Sequence, residues 1–225
     1  MLVHLKMTGQ LVYKQHAIRS THQGKTVIGG HPIELSEKEL PNKHTHLIFT
    51  LSKGTLYYND TRMFGYLLYY PSLAKFEAEN HFAALGHEPH EKEFTLVYFT
   101  EALKNKKGIL KKILMDQKIV TGLGNIYADE VCFEAGVRPA RKVDTLKKEE
   151  ITKLYKAIRR IIPEAIRQGG SSVANYLLVD GSRGNYARSH KVYGKSGKEC
   201  AVCTKPLTTL TLNGRTTVFC STCQK

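Results

Sequence analysis

Along the first ninety residues the apolar positions fall in short runs or alternate with polar ones, the period of strands rather than helices. "LVHLKM", "HLIFTL" and "TLYYND" predict strands, and "LSKGTLYY" predicts a hairpin turning at Lys53-Gly54. Residues 86–93, "GHEPHEKE", are polar and carry a proline, so they read as a boundary. From about residue 94 the period lengthens to that of helices. In "TLKKEEITKLYKAIRRIIPEAIRQGG" Leu146, Ile151, Leu154, Ile158, Ile161 and Ile162 recur at helical spacing, with Thr145 placed to cap and Glu149 and Glu150 in the first turn. Gly169-Gly170 ends that helix, and Pro163 is expected to kink or divide it, since it removes an amide donor. Residues 181–191, "GSRGNYARSHK", read as a mobile loop leading to a C-terminal module. In that module "TLTLNGRTTVF" alternates on both sides of Asn213-Gly214, a strong hairpin signal.

The chain of 225 residues is 41% hydrophobic and 24% charged, which suits one or two globular domains and argues against a disordered protein. No run of about 18 apolar residues occurs, so no membrane span is expected. "MLVHLKMTGQ" lacks the features of a secretory signal, which makes the cytoplasm the expected compartment. The net charge of +14 is uneven: residues 1–90 carry nine Lys/Arg against seven Asp/Glu, and residues 91–225 carry 25 against 13. A basic C-terminal part beside a metal motif points toward a polyanion partner.

Four of the five cysteines form the pattern Cys200-x2-Cys203-x16-Cys220-x2-Cys223. Each Cys-x-x-Cys turns two thiolates toward one point, and two such corners complete a tetrahedral shell suited to one zinc ion. A closed shell leaves no position for water, so the ion is expected to fold the module rather than to catalyse; a redox dithiol pair is the alternative. Arg215 follows the hairpin turn directly, either as a solvated tip or as a phosphate contact. In "DQKIVTGLGNIYADEVCFEAGVRP" Gly122 and Gly124 lead into a helix starting near Asn125 and ending at a left-handed Gly136, with Pro139 beyond. A glycine-lined helix start can bind an anion, although a plain helical packing element would read the same way. Cys132 reads as a buried small hydrophobe.

"GLGNIYADEVCFEAGVRP" resembles the helix-two-turns-helix signature, and "VYGKSGKECAVC" to "GRTTVFCSTCQK" the terminal zinc finger, of the formamidopyrimidine-DNA glycosylase and endonuclease VIII family, closer to the formamidopyrimidine branch. "HLKMTG", "NKHTH" and "YNDTRMFG" extend the likeness over nearly the whole chain. The resemblance implies an α+β multidomain fold: a partial N-terminal β-sandwich over 1–88, a helix-two-turns-helix domain over 92–180 and a zinc-finger hairpin over 189–225. It implies base-excision repair, with removal of oxidised purines such as 8-oxoguanine and formamidopyrimidines, and nicking of the abasic site by a lyase step. The implied partner is damaged double-stranded DNA, bound by a monomer that joins the nucleoid during repair. Met7, Arg62 and Phe64 match the wedge that enters the duplex where the lesion is flipped out. His44, Arg62, Lys106 or Lys107, Asn125 and Arg215 match positions that grip phosphates, and Arg215 is also a candidate for a part in strand cleavage. Lesion choice is expected to lie in the loop near 170–188.

The family pattern begins with Met-Pro-Glu, whose proline amine attacks the sugar with the glutamate as acid/base and a lysine upstream of "HLKMTG" assisting. These catalytic residues have no counterpart in a sequence opening "MLVHLKMTG", and Met63 stands where a second basic residue is usual. The chain is therefore expected to be an inactive fragment, or a product with a misassigned start, that keeps DNA binding. The alternatives are a natural noncatalytic protein binding damaged DNA and a zinc-ribbon adaptor for protein partners.

Overall fold

The computed structural model describes residues 1–16, 26–30, 40–171 and 184–225. They divide into two compact units, one formed by Met1–Asn80 with Gly169–Ala187 and the other by His81–Gln168 with Arg188–Lys225.

The first unit is a partial β-sandwich of strands β1 (Leu2–His4), β2 (Gly9–Gln15), β3 (Thr26–Gly30), β4 (Thr45–Leu51), β5 (Gly54–Asp60) and β6 (Tyr66–Leu68). One sheet has the antiparallel order β3-β2-β5-β4, and β1 pairs with β6 in a separate ladder. Val12 and Tyr58 are buried, and a polar layer joins the central strands: Asn59 Nδ2 donates to Gln10 Oε1 at 3.1 Å and Thr45 Oγ1 to Asn59 Oδ1 at 2.7 Å. The β4–β5 hairpin closes on the pair Leu51↔Gly54, so its turn residues are Ser52 and Lys53 rather than the expected Lys53-Gly54. Gly54 serves packing instead: a Cβ there would meet the Lys14 carbonyl oxygen and the Tyr13 ring, each at 2.5 Å. A short helix, α1 (Leu73–Ala78), follows the strands, its first turn capped by Ser72 Oγ accepting from Lys75 N–H.

The second unit is built on α2 (Leu96–Leu103), α3 (Leu110–Leu114), α4 (Asn125–Ala135) and α5 (Lys148–Arg167). Thr95 Oγ1 caps α2 by accepting from Tyr98 N–H at 3.1 Å. Phe94, Phe99, Leu110, Leu114, Val131, Leu154 and Ile158 form the core. Two expectations about α5 fail. The N-cap is Lys147, not Thr145, because the Thr145 hydroxyl donates to the Lys142 carbonyl while Glu150 reaches back to accept from Lys147 N–H at 2.8 Å. The division expected at Pro163 also does not occur: one helix runs from Lys148 to Arg167, with Ile161, Ile162 and Ala165 buried on both sides of the proline to offset a penalty of about 3 kcal/mol.

Of the loop expected at 181–191, residues 181–183 lie outside the described residues, and Tyr186–Ser189 form a 3₁₀ turn. Its end is pinned, since buried Glu130 of α4 accepts the backbone N–H groups of Lys191, Val192 and Tyr193 at 2.8–3.0 Å. The terminal hairpin pairs β7 (Thr208–Leu212) with β8 (Arg215–Phe219), and Asn213 and Gly214 adopt φ +50° and +71°, the two left-handed positions of a type I′ turn. No described helix is long and apolar enough to cross a membrane.

Candidate nucleic-acid interface and metal cluster

In the first unit two exposed loops meet at one buried carboxylate. "KMTG" turns between β1 and β2 with Lys6 at φ +51° and Met7 64% exposed. Gly9 permits this turn, because a Cβ there would lie 2.4 Å from the Leu5 carbonyl oxygen. "TRMFG" follows β5 with Met63 at φ +57°, Phe64 57% exposed and the Arg62 guanidinium 4.7 Å from the Phe64 ring centre. Between the loops lies the fully buried Asp60. Its Oδ1 accepts from Thr8 Oγ1 at 2.5 Å and Arg62 N–H at 3.1 Å, and its Oδ2 from Gly65 N–H at 2.8 Å and Tyr58 O–H at 3.2 Å. Burial would raise this carboxyl, but the donors from Thr8, Gly65, Arg62 and Tyr58 hold it down at about 2. His44 joins the same cluster through its carbonyl, which accepts Asp60 N–H at 3.0 Å. Of the residues singled out in the sequence, Met7, Arg62, Phe64 and His44 lie on the segments around Asp60, which sequence reading did not name, although an aspartate just before a turn is a local signal.

In the second unit α4 begins at Asn125 after Gly124, which offers no side-chain cap to the first turn. Asn125 Oδ1 is buried and no donor among the described residues reaches it. Lys106 and Lys107 line a groove of about 500 Å³ together with Lys104, Lys148, Glu101 and Asp144. Arg215, exposed at the hairpin tip, lines a cavity of about 390 Å³ with Lys112, Met115, Asp116 and Asn213.

A buried ion pair holds this hairpin against the helices. Lys111 Nζ of α3 lies 2.7 Å from Asp129 Oδ1 of α4 and donates to Thr216 O and Thr217 Oγ1, each at 2.9 Å. Asp129 Oδ2 accepts from Val218 N–H at 3.0 Å. Burial pushes Asp129 up to about 6 against the pull of Lys111 and Val218. The C-terminal end is tied down as well: Arg138 donates to the carbonyls of Gln224 and Ser221, and buried Gln224 bridges Cys220 N–H and the Val137 carbonyl. Sequence reading missed the supporting side chains Lys111, Asp129, Arg138 and Gln224.

The four thiols of Cys200, Cys203, Cys220 and Cys223 converge within 4.8 Å of one another and could bind a metal ion. Cys200 and Cys223 Sγ are 3.9 Å apart, and Cys203 and Cys220 Sγ 3.4 Å. A tetrahedral shell with metal–sulfur bonds of about 2.3 Å has edges of roughly 3.8 Å, so the set fits such an ion. Cys220 is brought down to about 7 despite its burial, by hydrogen bonds from Cys223 N–H and the Cys203 thiol. Cys223 is pushed up to about 12 by its hydrogen bond with Cys203 and by burial. A bound cation would favour the thiolate form of its cysteine ligands. The cysteines pack with Phe133 of α4, Val192, Leu207 and Val218, so α4 contributes a side chain to the core around the cluster.

Comparison with known proteins accounts for this combination. Residues 1–67 match the formamidopyrimidine-DNA glycosylase N-terminal domain and residues 85–176 the formamidopyrimidine-DNA glycosylase H2TH domain. Formamidopyrimidine-DNA glycosylase of Desulfitobacterium hafniense is 38% identical over 231 residues, covering 99% of this chain and 74% of that protein. The Listeria monocytogenes enzyme of the same name is 42% identical over 192 residues, 85% of this chain and 70% of the relative. The structure of Lactococcus lactis Fpg in complex with DNA containing an abasic site superposes with a TM-score of 0.78 at 30% identity, covering 99% of this chain and 74% of that one. MutM (Fpg) from Thermus thermophilus gives a TM-score of 0.72 at 34% identity, over 88% and 75% of the two chains. With both domain patterns in order along one chain, and identity above 35% over nearly all of it, the chain belongs to the formamidopyrimidine-DNA glycosylase family.

Proposed function

We propose that this protein serves base-excision repair of oxidised purines, and that residues 1–225 supply the part that grips and opens damaged duplex DNA. The observation carrying this reading is the start of α4 at Asn125, without a side-chain cap, in the same compact unit as the tip arginine Arg215, two features suited to an anion in the unit where the Lys111–Asp129 pair ties the hairpin to the helices. Asn125, Arg215, His44 and Lys106 or Lys107 hold phosphates, and Met7, Arg62 and Phe64 form the wedge that fills the space of an extruded nucleotide. One zinc ion held by the four cysteine thiolates supplies folding energy to the module. Lesion choice is assigned to the segment near 170–188, of which 172–183 lie outside the described residues.

By family the activity is that of a DNA glycosylase with an abasic-site lyase step. The stretch 1–225 contains no Met-Pro-Glu, so by itself it is proposed to hold damaged duplex, as a monomer, without excising a base. Fluorescence anisotropy tests the reading, using duplex with a tetrahydrofuran abasic analogue and undamaged duplex across a salt series. Binding should favour the damaged duplex and weaken steeply with salt, with a slope of about −0.9 per phosphate held. Affinity that is weak, salt-insensitive and indifferent to damage would sink this reading and favour a protein-binding adaptor.

A further inference from the structure

We infer that Asp60 is the positioning residue of the wedge, a single buried carboxylate that fixes the Met7 loop and the Arg62–Phe64 loop relative to each other; this rests on the wedge reading above. Thr8 adjoins Met7, and Arg62 and Gly65 flank the segment carrying Phe64, so each wedge residue lies within two positions of a donor to Asp60. Thr8 and Asp60 are 52 residues apart in sequence, and neither loop buries its own apolar side chain: Met7 and Phe64 stay 64% and 57% exposed. Each loop also contains a non-glycine residue at positive φ, Lys6 and Met63, a conformation that costs energy unless the surroundings enforce it. What the loops lack in packing they gain from charge-assisted hydrogen bonds to one acceptor, which are shorter and stronger than neutral ones. Gly65 completes the seat. A Cβ there would lie 2.1 Å from the Tyr58 hydroxyl and 3.0 Å from Asp60 Oδ2, so only glycine brings its amide up to the carboxylate.

A residue that merely stabilises the unit would lower its melting temperature and leave the opened duplex unchanged. A positioning residue must alter the opening itself. The probe is duplex containing a tetrahydrofuran analogue with 2-aminopurine opposite, whose fluorescence rises on unstacking, read at saturating protein. Met7→Ala and Phe64→Ala test the wedge reading. Thr8→Val, which keeps shape and removes one donor, and Asp60→Asn, which replaces an acceptor by an amide facing Gly65 N–H, test the inference. Thr8→Val should reduce the unstacking equilibrium about fivefold, the scale of one lost hydrogen bond, with the salt dependence of binding unchanged. Thr8→Val/Phe64→Ala should be no worse than Phe64→Ala alone, because both act through one element. If Asp60→Asn does not fold, Thr8→Val decides. Full signal in Thr8→Val while Phe64→Ala has lost it overturns the role of Asp60 and leaves the wedge standing. Additive losses in the double variant overturn it too. Full signal in both Met7→Ala and Phe64→Ala removes the wedge, and the inference with it.

Discussion

Lys111→Met separates a docking function of the buried ion pair from a merely local one. Lys111 is 2% exposed and Asp129 0%, so neither charge is screened by water, and the ammonium lies 2.7 Å from Asp129 Oδ1 while donating to Thr216 O and Thr217 Oγ1. Removing one partner of such a pair costs about 3–5 kcal/mol, because the remaining charge is buried without compensation. For a unit of this size that is a fall in melting temperature of roughly 10–20 °C. The pH dependence follows from Asp129, whose folded pKa of about 6 lies above the ordinary 3.8. Between those values the unfolded chain has released its proton and the folded chain has kept it, so this group's contribution to stability falls as pH rises from about 4 to 6. In Lys111→Met the opposing cation is gone and the titration moves higher. The deficit relative to the parent should therefore be largest above pH 7 and shrink toward pH 5, where Asp129 is neutral in the variant. Thermal melts followed by near-ultraviolet circular dichroism at pH 5 and 8, at fixed zinc, measure this. Lys111→Met/Asp129→Leu should recover most of the loss, since an apolar replacement of both partners leaves no orphan charge. An equal deficit at both pH values, with the double variant as unstable as the summed singles, would refute the reasoning.

Metal analysis should find one zinc per chain, and Cys220→Ser should release it and unfold the terminal hairpin; an ordered hairpin in metal-free protein would contradict the zinc assignment. Arg215→Ala should make the salt dependence of duplex binding shallower by roughly one unit on a log–log plot, and an unchanged slope removes Arg215 from the phosphate contacts. Residues 1–225 alone should give no borohydride-trapped complex with 8-oxoguanine duplex, because trapping requires an imine from an activated amine. A trapped band would direct the search to the lysines of this chain.

What sequence reading reached and what it missed divide along a physical line. Strand period, the Asn213-Gly214 turn, the left-handed Gly136 and the paired cysteines are local signals, each decided by residues a few positions apart. The failures at Thr145 and Pro163 are also local, but there the outcome was set by partners outside the pattern: Glu150 took over the cap, and buried Ile161 and Ile162 carried the helix across the proline. The placement of the exposed candidates came from motif likeness, since nothing in the periodicity distinguishes Met7 or Phe64 from core residues.

The supporting residues were invisible for a further reason. Periodicity assigns a charged residue to the solvent face, yet Lys111, Asp129 and Glu130 are buried on α3 and α4, and each has partners on a segment distant in sequence. Lys111 meets Thr216 across 105 positions, Glu130 the N–H groups of Lys191 to Tyr193 across 61 to 63, and Asp129 Val218 across 89. Without those partners each would be a costly buried charge, and with them each fixes the spacing between helices and hairpin. The same logic applies to Asp60 in the first unit, which ties loops 52 positions apart. In each unit exposed candidates for DNA contact, Met7, Arg62 and Phe64 in the first and Arg215 in the second, stand beside a buried charge, Asp60 or the Lys111–Asp129 pair. Substitutions in that hidden layer should therefore disturb DNA opening and hairpin docking without removing any group that touches DNA.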